Sequence, residues 1–355
     1  MKKRIISLIM VLALLAVSSI SALAFESEAE LNADERVQHF IEEKLVSLKD
    51  NRAVVSIDTV KDFAGQEYKV AVCAPKGYFI VHPEAGIIVE YNLNAVSPFN
   101  DAENPIYGGP TFYYDYTGNE CRHTVLGTTI SFYDTTAIRS KSLSLYNELL
   151  EKKYEPVADY LIGKSDQLPF RNTEEDPDHW ISNHAWFQAR VSGFGYVDGG
   201  YCGYIAANLV LKYHNNYNHI TLPSTLATIN STALTNALIA KGNGNNGTTA
   251  VSVSNAINAF AADWSGVPAN ASWAVGSLGA FTEINTHHRP CILFGSLPDP
   301  RDNFNSYLFH AVVAYGYNFY ENPTLETWVC HYGWDNYEEV HIVNSMMGTN
   351  TKYAP

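Results

Sequence analysis

The sequence contains little positive charge. Its 355 residues include 23 Lys and Arg against 37 Asp and Glu, which gives a formal net charge of −14. Residues 1–24 carry three positive charges and no negative one, so the chain without them carries −17. An acidic surface without a basic stripe repels phosphate backbones. We therefore exclude nucleic acid as a partner.

Long hydrophobic runs are equally scarce. One apolar run, residues 5–17, follows the basic residues 2–4 and precedes the small-residue segment 22–24. This order is typical of a secretory signal and predicts cleavage after Ala24. The run is short for a bilayer span, and no other stretch is long enough. We expect a secreted protein, extracellular or associated with the cell envelope, with no membrane span in the mature chain.

Charged residues make up 17% of the chain and hydrophobic residues 46%. This balance excludes a disordered polypeptide and indicates a folded globular protein. The length suits two domains of ordinary size. The sequence shows no internal repeat and no low-complexity tract, so a repeat architecture is excluded as well.

Cysteine is infrequent, and its count is odd. An exported chain with five cysteines leaves at least one thiol unpaired or intermolecular, and Cys202 is the candidate. The other four lie two in each half of the chain, which permits one disulfide in each half or isolated buried thiols. The five are Cys73, Cys121, Cys202, Cys291 and Cys330.

Residues 25–162 predict a small α+β domain. Residues 32–48 and 143–161 have the apolar spacing of amphipathic helices. Three short β-type runs between them, separated by turn residues, indicate an antiparallel meander; they span 68–73, 77–82 and 86–91. No motif in this domain points to chemistry of its own.

The polar, acidic, proline-containing residues 163–178 mark the clearest domain boundary. An exposed linker of this kind is a natural site for proteolysis, although an ordinary uncut loop has the same composition. Residues 179–355 then predict a second α+β domain. Helices are expected from Cys202, at 222–240 and at 251–261. The expected strands are 291–295, 309–317, 327–331 and 338–343, so a helical half would face an antiparallel sheet half.

Cys202 lies between small residues at the start of a predicted helix, in Gly-Gly-Tyr-Cys-Gly-Tyr. Amide N–H groups and the positive end of the helix dipole stabilise a thiolate there, and glycine lets a substrate approach the backbone. These features predict a nucleophile. A buried structural cysteine is the alternative interpretation.

A thiolate nucleophile needs a base, and a histidine distant in sequence is the usual one. His310 starts an otherwise apolar predicted strand, where it would face a cleft; a core histidine bonded to a backbone carbonyl is the alternative. The next strand ends in Cys-His-Tyr-Gly-Trp-Asp-Asn, residues 330–336. If the two strands pair, a polar side chain of this turn would orient His310, and Trp334 would shield that hydrogen bond.

Taken together, the three segments resemble papain-like cysteine peptidases, most closely the streptopain family of secreted bacterial enzymes. Residues 202–214, which end in Leu-Lys-Tyr-His, look like the nucleophile helix of that family. Residues 309–313, Phe-His-Ala-Val-Val, look like its catalytic-histidine strand. Residues 331–334, His-Tyr-Gly-Trp, are similar to its asparagine-tryptophan-glycine-tryptophan turn. The resemblance covers about half of the chain in separate islands.

The resemblance implies a papain-like two-half catalytic domain preceded by an α+β prodomain. Cys202 would be the nucleophile of peptide-bond hydrolysis and His310 its general acid and base. The substrate would be a peptide or protein, with no cofactor. The N-terminal domain would act as an intramolecular inhibitor until the linker is cut.

Two positions depart from the family pattern. The glutamine expected six residues before the nucleophile, an oxyanion donor, is Tyr196, whose hydroxyl would donate together with the Cys202 backbone N–H; one such donor is worth about a hundredfold or more in rate. The orienting asparagine is His331, and Asp335 or Asn336 would serve instead in a longer turn.

These departures leave other functions open. One is a non-catalytic, peptidase-like protein that binds peptide or glycan. Another is a papain-like amidase or acyltransferase that acts on cell-wall peptide. A metal site built from Cys330, His331, His287 and His288 is excluded, because no pair has the close repeated spacing of zinc ligands.

Overall fold

The computed structural model describes residues 31–118, 120–131, 136–167, 179–190, 197, 200–244, 248–276, 278–295, 310–318, 327–343 and 347–355. Within these ranges the protein is α+β, with nine helices and one large mixed sheet. The predicted signal at 1–24 and linker residues 168–178 lie outside the described residues. No helix of the described ranges is long and apolar enough to cross a membrane.

The N-terminal region begins with a helix that contains its own capping signal. Asn32 accepts hydrogen bonds from the N–H groups of Asp34 and Glu35, while the Glu35 carboxylate accepts from Asn32 N–H. The predicted helix at 32–48 is confirmed as α1. The elements of this region are α1 Ala33–Ser47, β1 Ala53–Lys61, β2 Glu67–Ala74, β3 Tyr78–His82, β4 Ile87–Asn92, β5 Pro105–Tyr107, β6 Tyr113–Tyr116, β7 Glu120–His123, β8 Thr129–Ser131, α2 Thr136–Glu151 and α3 Glu155–Leu161.

The predicted meander is confirmed in β2, β3 and β4, which pair antiparallel in sequence order. The single helix predicted at 143–161 is wrong in its continuity. Pro156 lies in the first turn of α3, where its missing N–H costs no hydrogen bond. The chain therefore ends α2 at Glu151 and starts a second helix at Glu155.

The C-terminal region also follows its predicted order closely. The strands predicted at 291–295 and 327–331 are confirmed to the residue, whereas the helix predicted at 222–240 is divided by residues 228–232. The elements are β9 His179–Trp180, α4 Ala185–Gln188, α5 Cys202–Asn216, α6 Ser224–Ala227, α7 Ala233–Lys241, α8 Ala250–Ala261, β10 Ala271–Val275, α9 Leu278–Asn285, β11 Cys291–Gly295, β12 Ala311–Asn318, β13 Thr327–His331, β14 Val340–Val343 and β15 Met347–Tyr353.

A single sheet runs through both regions. Its strand order is β10-β15-β11-β12-β13-β14-β4-β3-β2-β1-β5-β6-β7-β8, with β9 paired to β12. The regions join where β14 pairs antiparallel with β4, so that His341 faces Tyr91 and Ile342 faces Glu90. Backbone hydrogen bonds therefore connect the two regions directly.

The hydrophobic cores show the same connection. Tyr78 and Ile80 of β3 belong to one cluster with Leu209 of α5 and Val313 of β12. The alternate β3 side chains, including Phe79, belong to a second cluster under α1 and α3. Because alternate side chains of a strand face opposite sides, β3 lies between its own helices and the C-terminal region.

Candidate active site

The site is built around the first residue of α5. Cys202 begins this helix and is partly exposed, whereas the residues from Gly203 to His214 are all buried. The sulfur therefore lies at the positive end of the helix dipole, at the edge of a densely packed element. All five cysteines are free thiols, and the other four are buried.

The thiol of Cys202 is surrounded by hydrogen-bond donors. The Thr248 hydroxyl oxygen is 3.6 Å from its sulfur. Burial raises the pKa of the Cys202 thiol above its ordinary value, while Thr248, the N–H groups of Ala311 and Gly203, and its own N–H act to lower that pKa.

His310 lies directly before β12, and the adjacent Ala311 N–H contacts the Cys202 sulfur. The Nε2 atom of His310 is 3.2 Å from the Tyr332 carbonyl oxygen. A carbonyl only accepts, so Nε2 carries the hydrogen and Nδ1 is the unprotonated nitrogen. Burial lowers the pKa of His310 to about 4, so the imidazole is neutral.

Trp334 lies beside His310, as predicted for a shielding residue. The two ring centroids are 4.8 Å apart, and Trp334 is buried. Gly333, next to it in the turn after β13, has a φ of 80°. A Cβ at Gly333 would lie 3.1 Å from the Ile205 side chain, so glycine allows this turn to approach α5 close to Cys202.

The structure places His331 at the end of β13, directly before this turn, and gives it backbone partners. Its Nε2 is 2.9 Å from the Arg190 carbonyl oxygen, and its Nδ1 accepts from Gly333 N–H at 2.8 Å. These contacts use both ring nitrogens, and burial lowers the pKa of His331 to about 4. The carbonyl that orients His310 belongs to Tyr332, one residue further along the chain.

The remaining predicted residues are placed as follows. Asp335 and Asn336 are both exposed on the turn, and the Asn336 carbonyl accepts a hydrogen bond from Asn92 in the N-terminal region. Tyr196, the predicted oxyanion donor, lies outside the described residues. The other predicted donor, the Cys202 N–H, is in the first turn of α5.

The N-terminal region reaches the site, which the sequence did not indicate. The His123 ring in β7 is 5.3 Å from the Trp334 ring, nearly perpendicular to it, and Tyr113 in β6 is 6.4 Å from the same ring. Burial lowers the pKa of His123 to about 4, against the opposing effect of its hydrogen bond to the Thr111 carbonyl. The β6–β7 hairpin therefore covers the tryptophan that packs on His310.

Glu90 lies on β4, opposite Ile342 of β14, and forms a buried hydrogen-bond network with tyrosines. It accepts hydrogen bonds from Tyr78 at 2.6 Å, from Tyr107 at 3.4 Å and from Tyr113. Burial raises the pKa of Glu90 to about 7, although the three hydroxyl donors oppose the shift. Because its partners come from three separate strands, no short motif could have revealed this network.

The described residues contain no group of three or more His, Cys, Asp or Glu side chains that could hold a metal ion. The searches of known families and of curated proteins gave no match, whether by family model or by individual sequence. What the site offers chemically is a thiol at a helix start that contacts the Ala311 N–H, and, on the residue directly before Ala311, a neutral imidazole with a fixed tautomer. A thiol and an imidazole are the groups that transfer a proton and form a covalent bond to an acyl group in thiol hydrolases.

Proposed function

We propose that the protein is a secreted, papain-like cysteine peptidase, produced with residues 25–162 as an inhibitory prodomain. The observation that supports this most directly is the meeting of Cys202, at the start of α5, with the His310–Ala311 backbone at the start of β12. Trp334 packs on the imidazole, and the Tyr332 carbonyl holds its Nε2–H. This arrangement suits a thiol nucleophile with an oriented base.

In the proposed reaction, His310 Nδ1 takes the proton of Cys202 and the thiolate attacks the peptide carbonyl carbon. The tetrahedral intermediate collapses, the C–N bond breaks, and His310 gives its proton to the leaving amine. Water, deprotonated by the same imidazole, then attacks the thioester. The acid product leaves, and the proton returns to the thiol.

The described form is the inhibited one in this proposal. A thiol with a raised pKa and an imidazole with a pKa of about 4 do not form an ion pair at neutral pH. The β6–β7 hairpin covers Trp334, and β4 pairs with β14 beside the active-site turn. Cleavage within 163–178 and release of the N-terminal region would rehydrate both groups and bring their pKa values toward each other.

A non-catalytic peptide-binding protein is the second candidate. The observation that favours it is the occupation of both His331 ring nitrogens by backbone groups, in place of the orienting side chain of the family pattern. Such a protein would bind peptides beside Cys202 without forming a thioester.

Hydrolysis of a mixed peptide library by the linker-cut protein tests the proposal. We expect hydrolysis by the wild type, and none by Cys202→Ala or His310→Ala, because the first removes the nucleophile and the second the base. Cys291→Ala, which removes a buried thiol of the C-terminal region that remains after cleavage, is the matched control and should keep its activity. Undiminished hydrolysis by Cys202→Ala would exclude this mechanism; binding without hydrolysis in the wild type would favour the second candidate.

A further inference from the structure

Thr248 lies two residues before α8 and makes contact with the start of α5. Its side chain is buried, and its hydroxyl oxygen accepts a hydrogen bond from Gly203 N–H at 2.9 Å. The same oxygen is 3.6 Å from the Cys202 sulfur, within hydrogen-bonding range for sulfur. One hydroxyl therefore contacts both the candidate nucleophile and the next residue of its helix.

The donor and acceptor capacities of the three groups define the direction of these bonds. A backbone N–H only donates, so the Thr248 hydroxyl uses a lone pair for Gly203 and keeps its hydrogen. A thiolate only accepts. When Cys202 loses its proton, the Thr248 O–H is therefore the donor to the sulfur, as a charge-assisted hydrogen bond.

Close packing holds the hydroxyl in this position. A Cβ at residue 203 would lie 2.5 Å from the Thr248 oxygen and 2.6 Å from a Val253 methyl carbon. Only glycine permits this approach. On the other side, Thr249 caps α8, where its side chain and that of Ser252 each accept the backbone N–H of the other.

We propose that Thr248 is a positioning residue for the nucleophile: its hydroxyl holds the Cys202 sulfur and stabilises the thiolate by hydrogen bonding. This rests on the proposed function, in which Cys202 is the nucleophile. Thr248 does not contact the reacting carbonyl in this role. It acts through the sulfur and through the first turn of α5.

The test is the pH dependence of Cys202 alkylation by iodoacetamide in the full chain, with labelling at each cysteine measured by peptide mapping. Thr248→Val removes the hydroxyl and keeps the shape, and we expect the alkylation midpoint to rise by about one pH unit, or a roughly tenfold slower reaction at any pH below it. Thr248→Ser keeps the hydroxyl and should restore the midpoint to within about 0.3 unit of wild type.

Thr235→Val is the matched control. Thr235 on α7 is buried and accepts a hydrogen bond at 2.8 Å from Asn208, which lies on α5 six residues after Cys202. A substitution there should change the melting temperature but not the midpoint. Buried Cys73 and Cys121, whose pKa values burial raises to about 11 and about 12, provide internal references for slow labelling.

An unchanged midpoint in folded Thr248→Val would overturn the proposal, as would an equal rise in Thr248→Ser. If Thr248→Val does not fold, Thr248→Ala replaces it. A raised alkylation midpoint in Thr248→Ala would support the proposal, and an unchanged midpoint would overturn it. Alkylation needs no turnover. A shifted midpoint in a protein whose linker-cut form hydrolyses no peptide would therefore contradict the proposed function and leave the role of Thr248 supported.

Discussion

The two regions of the chain place their buried polar groups differently. In the C-terminal region, Cys202, His310 and Thr248 converge at the start of one helix, and the thiol there is partly exposed. In the N-terminal region, Glu90 is fully buried and three tyrosine hydroxyls bond to it. The first cluster has a group that can meet a substrate. The second is satisfied within the protein, so we interpret the N-terminal region as a cover for the site.

The largest effect should come from removing that cover. After cleavage between residues 163 and 178 and separation of the fragments, we expect peptide hydrolysis to appear and Cys202 alkylation at neutral pH to accelerate at least about 100-fold. The reason is that relief of burial lowers the thiol pKa, and each unit changes the thiolate fraction about tenfold. Labelling rates before and after separation measure this.

Circular dichroism of the separated C-terminal fragment is the control, because the fragment loses the β4–β14 pairing. A folded fragment that labels no faster than the intact chain would contradict the cover interpretation.

The second prediction concerns Glu90 and pH. Its pKa is about 7 in the folded protein against 4.5 as the ordinary value, so the folded state binds the proton more tightly. The stabilising contribution of this group is complete below pH 4.5 and is lost as the pH rises toward 7. We expect the wild-type advantage in unfolding free energy over Glu90→Gln to fall by roughly 3 kcal/mol across that range.

Urea unfolding at several pH values measures the difference, with Glu120→Gln as the control because Glu120 is exposed on β7 of the same sheet. The buried histidines change the unfolding free energy with pH in the opposite direction. Their contribution is the same in wild type and in Glu90→Gln, so it cancels in the difference between the two. A constant difference between wild type and Glu90→Gln would show that Glu90 does not retain its proton in the folded state.

A third, smaller effect is expected at the contact between the regions. Asn92 is fully buried, accepts from the N–H groups of Asn94 and Ala95, and donates to the Asn336 carbonyl at 3.1 Å. Asn92→Ala should cost about 2 kcal/mol of unfolding free energy, because buried groups lose their partners. It should also speed Cys202 labelling by loosening the turn.

Asn94→Ala, in the loop directly after β4, is the control for Asn92→Ala. Equal stability and equal labelling rates in the two variants would mean that the Asn92–Asn336 bond does not couple the regions.

The smallest effect should be that of His331→Gln on hydrolysis by the linker-cut protein. Because the Tyr332 main-chain carbonyl orients His310, we expect kcat to fall by less than about tenfold, with the pH profile unchanged. The melting temperature should fall more clearly, since His331 bonds Arg190 and Gly333. A loss of about 1000-fold or more in kcat would instead identify His331 as the orienting group.

Much of the fold follows from local pattern, and the exceptions have physical reasons. α1 was predicted because its cap and its buried stripe are both local. β1 was missed because polar residues interrupt its short apolar segments and only two of its side chains, Val54 and Val60, are buried. β15 was missed because most of its buried residues are polar: Thr349, Asn350 and Thr351 are buried by packing that their own segment does not indicate.

The same distinction applies to the site. Cys202, His310 and Trp334 were predicted because each lies at or just beyond the end of a helix or strand whose apolar pattern is clear in the sequence. Thr248 was missed because it lies in a polar loop 46 residues from Cys202. The Tyr332 carbonyl was missed because main-chain groups are present at every residue and carry no sequence signal.

In the proposed mechanism, Cys202 forms a covalent acyl intermediate with His310 as its base. The most direct measurement is mass spectrometry of the acid-quenched, linker-cut protein after brief mixing with a reactive peptide ester. We predict an acyl adduct on the Cys202 peptide in the wild type, absent from Cys202→Ala and greatly reduced in His310→Ala. Ester turnover that persists in Cys202→Ala, or turnover in the wild type with no adduct at Cys202, would contradict this mechanism.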